Sequence, residues 1–245
     1  MTRRRLPYRW RTVPADPREV RALASELGLS EVLARCLVQR GVSAASAGSF
    51  LQPRLQSLSD PFELPGMRAA VDRLRVARAR RERVVLFGDY DVDGVTATAQ
   101  LQETLSGLGW IVGCYLPRRL DEGYGLSAEA VRSCRDQHHP QVLVAIDCGS
   151  TSTEVIRHLQ AEGTEVVVLD HHQVADPGPP ACALVNPQLL GEGHPARHLS
   201  SAGLAFKLAH ALVKEGRVHQ EPAEGACDVR RLLDLVALGT VADLV

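Results

Sequence analysis

Lysine is almost missing from this chain of 245 residues, with two lysines against 26 arginines. Aromatic residues make up 4%. No apolar run approaches the ~18 residues that a membrane-spanning helix needs. The N-terminus is arginine-rich, but no apolar stretch follows it, so no signal peptide is expected. Cys36, Cys114, Cys134, Cys148, Cys182 and Cys227 are scattered, without a Cys-x-x-Cys pair. That spacing argues against a zinc site or a disulfide framework and for a reducing cytoplasm. Internal repeats and low-complexity tracts are absent too. What is present suits a soluble α/β protein: 45% hydrophobic residues, in a length that fits one large domain or a domain plus a smaller module.

The net charge of −1 hides an asymmetry. Residues 1–83 hold 17 arginines and 8 acids, a formal +9, whereas residues 84–245 hold 11 basic and 21 acidic groups, a formal −10. A basic surface for phosphates beside an acidic cluster for metal would give this pattern. So would solvated helix faces that use arginine in place of lysine.

Residues 16–29 read as a helix, capped by Asp16, opened by Pro17 and ended by Gly28, with Val20, Leu23, Ala24 and Leu27 as its apolar stripe. Helices at 30–41 and up to Phe50-Leu51 follow. Residues 52–66 hold Pro53, Pro61, Pro65 and Gly66 and read as a linker, so 1–66 form a helical module and 67–245 the main domain. Met67, Ala70, Val71, Leu74 and Ala77 define a helix, and seven arginines fall between positions 68 and 83. Strands and helices then alternate. Strands are expected at 84–87, 110–116, 142–146, 166–169 and 181–185. Helices are expected at 94–108, 128–135, 153–162, 201–214 and 228–240, with the His138-His139 pair in a loop. This order predicts an α/β fold, a mostly parallel sheet with helices on both faces, preceded by a small helical module.

Three strands end in acids. The run Val84-Val85-Leu86-Phe87 leads into Gly88-Asp89-Tyr90-Asp91-Val92-Asp93-Gly94. The second strand of the set stops at Asp147 and the third at Asp170-His171-His172, and Asp243 lies just after the last helix. Right-handed crossovers bring the carboxyl ends of parallel strands to one edge, where open α/β sheets place ligands. Carboxylates crowded there repel one another, and a hard cation offsets them. Carboxylates with imidazole suit Mn²⁺ or Mg²⁺. A carboxylate with ligands on both sides suggests two ions about 3.5–4 Å apart, the layout for in-line phosphoryl displacement.

Each piece alone has a plainer reading. Asp-x-Asp-x-Asp-Gly also opens a calcium loop of the EF-hand type, but the Glu required at its twelfth position is Gln100 and a strand precedes it. Asp91-x-Asp93 after a strand fits the nucleophile of haloacid-dehalogenase phosphatases. Those need a downstream lysine, and only Lys207 and Lys214 exist, both on the interior pattern of a helix. Asp147 could cap a helix, with Ser150 and Thr151 competing, and Asp170-His171-His172 could be a surface turn. It is their joint occurrence that favours a metal site.

The four stretches Gly88-Asp89-Tyr90-Asp91-Val92-Asp93-Gly94, Ile146-Asp147-Cys148-Gly149, Asp170-His171-His172 and Gly239-Thr240-Val241-Ala242-Asp243 resemble, in order, the four motifs of the DHH phosphoesterases. Pro117-Arg118-Arg119, Glu122-Gly123-Tyr124-Gly125, Asn186-Pro187, Ser201-Ala202-Gly203 and the N-terminal Arg40-Gly41-Val42 and Phe50-Leu51-Gln52-Pro53 are similar to its single-strand-specific exonuclease branch. Most DHH proteins carry a histidine where this chain has Phe87, and this branch carries the extra acid Asp89. The resemblance therefore implies that Asp89, Asp91 and Asp147 hold one ion. Asp93, Asp147, His171 and Asp243 hold the other, and Asp147 bridges. His172 faces the substrate phosphate, Asp170 orients the histidines, Arg119 clamps a phosphate, and Tyr124 stacks on a base unless it is buried.

The same resemblance implies a 5′→3′ exonuclease for single-stranded DNA that uses two Mn²⁺ or Mg²⁺ ions and serves recombination and repair. A single-strand-binding protein and a helicase are the implied partners, with no membrane. It also implies a chain that continues past position 245 into a second lobe of the DHHA1 type, with a Gly-Gly-His motif, and an oligonucleotide-binding domain. A metal core without that lobe would bind ions yet turn over DNA poorly. Two alternatives stay open: a DHH hydrolase of short oligonucleotides, cyclic dinucleotides or pyrophosphate, and a DHH-fold scaffold without catalysis.

Overall fold

Asp16 and Pro17 start the first helix as their chemistry dictates. The Asp16 carboxylate accepts from the Arg18 amide, and Pro17 fills a position whose N–H has no helical partner. Helix α1 (Pro17–Leu27) ends at Gly28 in the left-handed region, and α2 (Glu31–Gln39) and α3 (Ala44–Leu51) follow. Val20, Leu23, Ala34, Leu37 and Ala47 form their common core. The structure, a computed structural model, describes residues 11–219 and 228–245, and for Arg119 and Leu120 the backbone alone. The chain divides into two units, Met1–Ser59 and Asp60–Val245. The break falls before the prolines at 61 and 65, because Leu64 and Met67 already sit in the core of the second unit.

In that unit the order is α4 (Met67–Ala79), β1 (Arg83–Phe87), α5 (Val92–Gly107), β2 (Ile111–Tyr115), a single helical turn α6 (Arg119–Glu122), α7 (Ala128–His138), β3 (Val142–Ile146), α8 (Thr153–Ala161), β4 (Glu165–Leu169), β5 (Ala183–Val185), α9 (Ser201–Val218) and α10 (Leu233–Asp243). His138 and His139 are not a loop: His138 closes α7, and His139 caps it in the left-handed region. Likewise, Asp243 does not follow the last helix but is its final residue. No helix among the described residues is long and apolar enough to cross a membrane.

The five strands are all parallel, in the order β2-β1-β3-β4-β5. Alternate residues feed the two faces. Val84, Leu86, Val144, Ile146 and Val167 pack with α4, α5 and α9. Val85, Phe87, Leu143, Ala145 and Val168 pack with α7 and α8. Both faces are covered, so β3 is buried along its whole length and reads as a continuous apolar run. Each fully buried Val, Leu or Ile contributes roughly 1.5–3 kcal/mol, which makes the strand ends a firm platform. The chain leaves β1 toward β2 on one side and returns to β3 on the other. The crevice above β1 and β3 is therefore the switch point where a sheet of this order binds ligands.

Candidate metal centre

The three aspartates after β1 do not project alike, because a strand turns into a helix between them. Asp89 is buried in the turn and accepts from the Tyr90 amide at 2.8 Å. Asp91 is the N-cap of α5, its Oδ1 accepting from the Gly94 amide at 2.9 Å. Asp93, within the first turn, accepts from the Ser201 amide at 2.6 Å and the Ala202 amide at 2.8 Å. A helix N-terminus is an anion site, and here the chain supplies the anion to α9 itself.

Asp147 follows β3 with φ of 62°, a left-handed conformation that Asp tolerates better than most residues. It is not a helix cap, since Ser152 holds that position for α8. Its Oδ1 accepts from the Ser201 hydroxyl at 2.9 Å. Burial pushes its pKa up to about 6, with Asp93 and Asp91 adding to the rise and His171 and Ser201 opposing it.

Asp170 directly follows β4. Its Oδ2 accepts from the Ser150 amide at 3.0 Å, and its Oδ1 lies 2.7 Å from His172 Nδ1. That bond to Asp170 raises the His172 pKa to about 9. Burial alone would raise Asp170, but the His172 and Ser150 hydrogen bonds outweigh it and hold Asp170 below the usual carboxylate range. Asn186, fully buried after β5, donates to the His172 carbonyl and to Ser150 Oγ, both at 2.8 Å.

His171 Nε2 faces Asp147 Oδ1 at 3.4 Å, Asp243 Oδ2 at 3.5 Å and Asp93 Oδ2 at 3.8 Å. Burial and the neighbouring His172 lower the His171 pKa, but Asp147 and Asp243 outweigh them, so the net shift is upward. Asp243 is raised by burial and by Asp93 and Asp91, and it sits at the negative end of α10, an unfavourable place for an anion.

Among the described residues, three sets of possible ligand atoms each lie within 4.8 Å of one another: Asp89/Asp91/Asp147, Asp147/His171/His172 and Asp93/His171/Asp243. Asp147 and His171 each belong to two sets, so the groups form one continuous cluster. Its residues fit hard divalent cations. Asp89, Asp93, Asp147 and Asp170 are each 2% exposed or less, and buried carboxylates are costly without compensation. Among the described residues, His171 Nε2 and Asp243 Oδ2 are buried with no hydrogen-bond partner. Their spacing of 3.5 Å exceeds a normal hydrogen bond but suits two ligands about 2.1 Å from one ion.

The remaining expected site residues lie on the 118–125 turn. Arg119 opens α6, and its side chain lies outside the described residues. Tyr124 is not buried but 62% exposed, its ring edge-on to Tyr90 with centroids 6.1 Å apart. The sequence named Ser201 and Asn186 only as matching positions and missed Tyr90. Gln100, the residue that argued against a calcium loop, is buried and donates to the Ala202 carbonyl. The arginines around α4 are largely engaged within the fold. Arg68 pairs with Glu215 at 2.9 Å, Arg73 with Glu82 and Glu165 at 2.6 and 2.7 Å, and the Arg78 guanidinium lies 5.0 Å over Trp110.

Known proteins are similar to this chain in sequence and fold. The single-stranded-DNA-specific exonuclease RecJ of Bacillus subtilis (strain 168) is 37% identical over 238 residues, 97% of this chain and 29% of its own length. The crystal structure of RecJ in complex with Mn²⁺ from Thermus thermophilus is 30% identical, with a TM-score of 0.74 over 96% of this chain and 32% of that one. The Mg²⁺ complex of RecJ from the same organism is 26% identical, with a TM-score of 0.62 over 97% and 29%. The chain spans 29% to 38% of the length of the curated relatives it matches first. Residues 83–240, from the first residue of β1 into α10, match the family described as "DHH family, N-terminal domain", and the chain belongs to the DHH family.

Proposed function

We propose that this chain is the metal-binding lobe of a 5′→3′ exonuclease that hydrolyses single-stranded DNA to mononucleotides in recombination and repair. The observation that carries the reading is Asp147, a buried carboxylate at the switch point that belongs to two ligand sets at once. Asp89, Asp91 and Asp147 hold one ion, and Asp93, Asp147, His171 and Asp243 hold the second. Mn²⁺ and Mg²⁺ suit these ligands and are the ions in the two RecJ complexes. When bound, such a pair supplies Lewis acidity to the scissile phosphate and the attacking water.

The protein's own groups bind and orient. Asp170 and Asn186 hold His172 at the rim, where its ring would face a phosphate oxygen. Arg119 contributes a second phosphate contact. Tyr124, exposed beside the cluster, offers a π-face to a base. The setting is cytoplasmic, in keeping with five free thiols among the described residues. A single-strand-binding protein and a helicase are the partners that would present the strand.

One observation favours a second reading, a hydrolase of short oligonucleotides or cyclic dinucleotides: arginines engaged in ion pairs leave less of a basic track for a long strand. The full chain, assayed with Mn²⁺ on a long 5′-labelled single strand, a blunt duplex and a dinucleotide, separates the two. Rapid release of labelled mononucleotide from the single strand alone is expected. Hydrolysis of the dinucleotide with the long strand intact would overturn the exonuclease in favour of the second reading.

The two ion sites are also separable by mutation. A Cβ on Gly239 would lie 2.5 Å from Ala202 Cβ and 2.7 Å from Asp93 Oδ1 and Thr96 Oγ1. Gly239→Ala therefore displaces α10 and withdraws Asp243 from His171, leaving Asp89, Asp91 and Asp147 in place. Calorimetric titration with Mn²⁺ should show one site weakened by about 10- to 100-fold and the other retained. Equal weakening of both, or of neither, contradicts the assignment.

A further inference from the structure

Phe87 is the last residue of β1, and its ring does not face the carboxylates. It belongs to the cluster on the opposite face of the sheet and stacks on Tyr115, the last residue of β2, with centroids 5.5 Å apart. The Tyr115 ring is nearly buried and its hydroxyl reaches Glu122 Oε1. Oε2 of the same carboxylate accepts from the Arg118 amide at 2.8 Å, and the Glu122 amide donates back to the Arg118 carbonyl at 2.8 Å. At the far end the Ser127 hydroxyl donates to the Glu122 carbonyl at 2.6 Å, while Ser127 Oγ also caps α7. Glu122 thus ties the start of the 118–125 turn to β2 and its end to α7.

The turn needs such a tie. Gly123 and Gly125 flank Tyr124 with φ of 83° and 63°, so little in the local backbone holds the tyrosine in place. A cavity of about 550 Å³, lined in part by Tyr115, Arg118, Glu122 and His138, leaves the turn open on one side. On the other side Gly125 passes Cys148, the neighbour of Asp147, with a Cβ position 3.6 Å from Cys148 Cβ. Small movements of the turn therefore move Tyr124 relative to the metal cluster.

We propose that Tyr115 and Glu122 form a latch that positions the 118–125 turn, and with it Tyr124, over the carboxylate cluster to receive the nucleotide strand. Tyr115 and Glu122 are positioning residues and touch no substrate. The proposal rests on the reading of Tyr124 as a strand contact, and its test keeps the two apart.

Tyr115→Phe in the full chain keeps the ring stacked on Phe87 and removes only the hydroxyl. Hydrogen exchange of the Arg118 amide should quicken at least about tenfold, the scale of one hydrogen bond to a charged group. The KM for single-stranded DNA should rise by about the same factor, with kcat and Mn²⁺ affinity unchanged. Tyr124→Ala should raise KM too, and adding Tyr115→Phe to it should raise KM little further. Unchanged exchange at Arg118 in Tyr115→Phe overturns the latch whatever the kinetics. Quickened exchange with unchanged KM overturns its positioning role. If that pattern comes with a normal KM for Tyr124→Ala, the strand-contact reading falls as well. A parallel loss of Mn²⁺ affinity would show a general structural role and also overturn the proposal.

Discussion

Asp147→Asn is expected to cut nucleotide release from single-stranded DNA by at least about a thousandfold, the scale of several kcal/mol of lost charge stabilisation. Asn is the informative substitution. Its shape keeps an oxygen for the Ser201 hydroxyl, which donates to Asp147 Oδ1 at 2.9 Å, and Asn tolerates the φ of 62° at this position. What it removes is the charge common to the two proposed ion sites. Both Mn²⁺ sites should therefore weaken together, unlike the single-site loss from Gly239→Ala. Undiminished release by Asp147→Asn would remove Asp147 from the metal centre.

The same variant should be more stable than the parent when no metal is bound. In the metal-free fold the Asp147 pKa is raised from 3.8 to about 6, chiefly by burial. A group raised on folding binds its proton more tightly folded than unfolded, so the fold is favoured while the group is protonated. That advantage declines as pH rises from about 4, and above about 6 the full penalty applies, on the order of 3 kcal/mol. With chelator at neutral pH, Asp147→Asn should melt several degrees above the parent, and the gap should close toward pH 4. Excess Mn²⁺ should raise the parent by mass action and leave the variant almost unmoved. An equal Mn²⁺-induced rise in both proteins would contradict the bridging role.

The gathering of the acids at one sheet edge was legible where its signals are local. An apolar run that ends in an acid marks β1, β3 and β4, and right-handed crossovers gather their ends without long-range information. Other parts were not legible because they pair residues far apart in sequence. Nothing near Asp93 announces that it accepts from the Ser201 and Ala202 amides, nor near Asn186 that it holds the His172 carbonyl. The end of α10 was misplaced because its left-handed cap is Leu244, with no glycine to mark it. Charge counting could not say that Arg73 spans Glu82 and Glu165, the latter 92 residues away. Tyr124 was ambiguous because stacking and burial use the same side chain, and only the exposure of the turn separates them.

Gly94→Ala is expected to destabilise the chain and dismantle the proposed ion site of Asp89, Asp91 and Asp147, although helix propensity alone predicts the reverse. Gly94 lies in the first turn of α5, and alanine is the better helix former by about 1 kcal/mol. Here, however, a Cβ would lie 2.7 Å from the Asp89 carbonyl oxygen and 2.8 Å from both Asp89 N and Asp89 Cβ. Most of those atoms are backbone of the turn just after β1 and cannot swing aside. Relief must come from separating α5 from the turn, which also strains the bond from the Gly94 amide to Asp91 Oδ1. Overpacking of this kind costs about 1–3 kcal/mol and the weakened cap about 1 kcal/mol more, so the net change after the propensity gain is a loss of roughly 1–3 kcal/mol. The shift separates Asp89 from Asp91 by a fraction of an ångström or more, and misplacement of about 1 Å costs roughly a hundredfold in rate. Gly107→Ala in the same helix is the control, because nothing lies within 4 Å of its Cβ position. Urea unfolding with chelator should place Gly107→Ala at or above the parent and Gly94→Ala below it, and Mn²⁺ titration should find a site lost only in Gly94→Ala. A Gly94→Ala protein that is as stable as the parent and binds two ions would refute the close approach of α5 to Asp89 as the reason for this glycine.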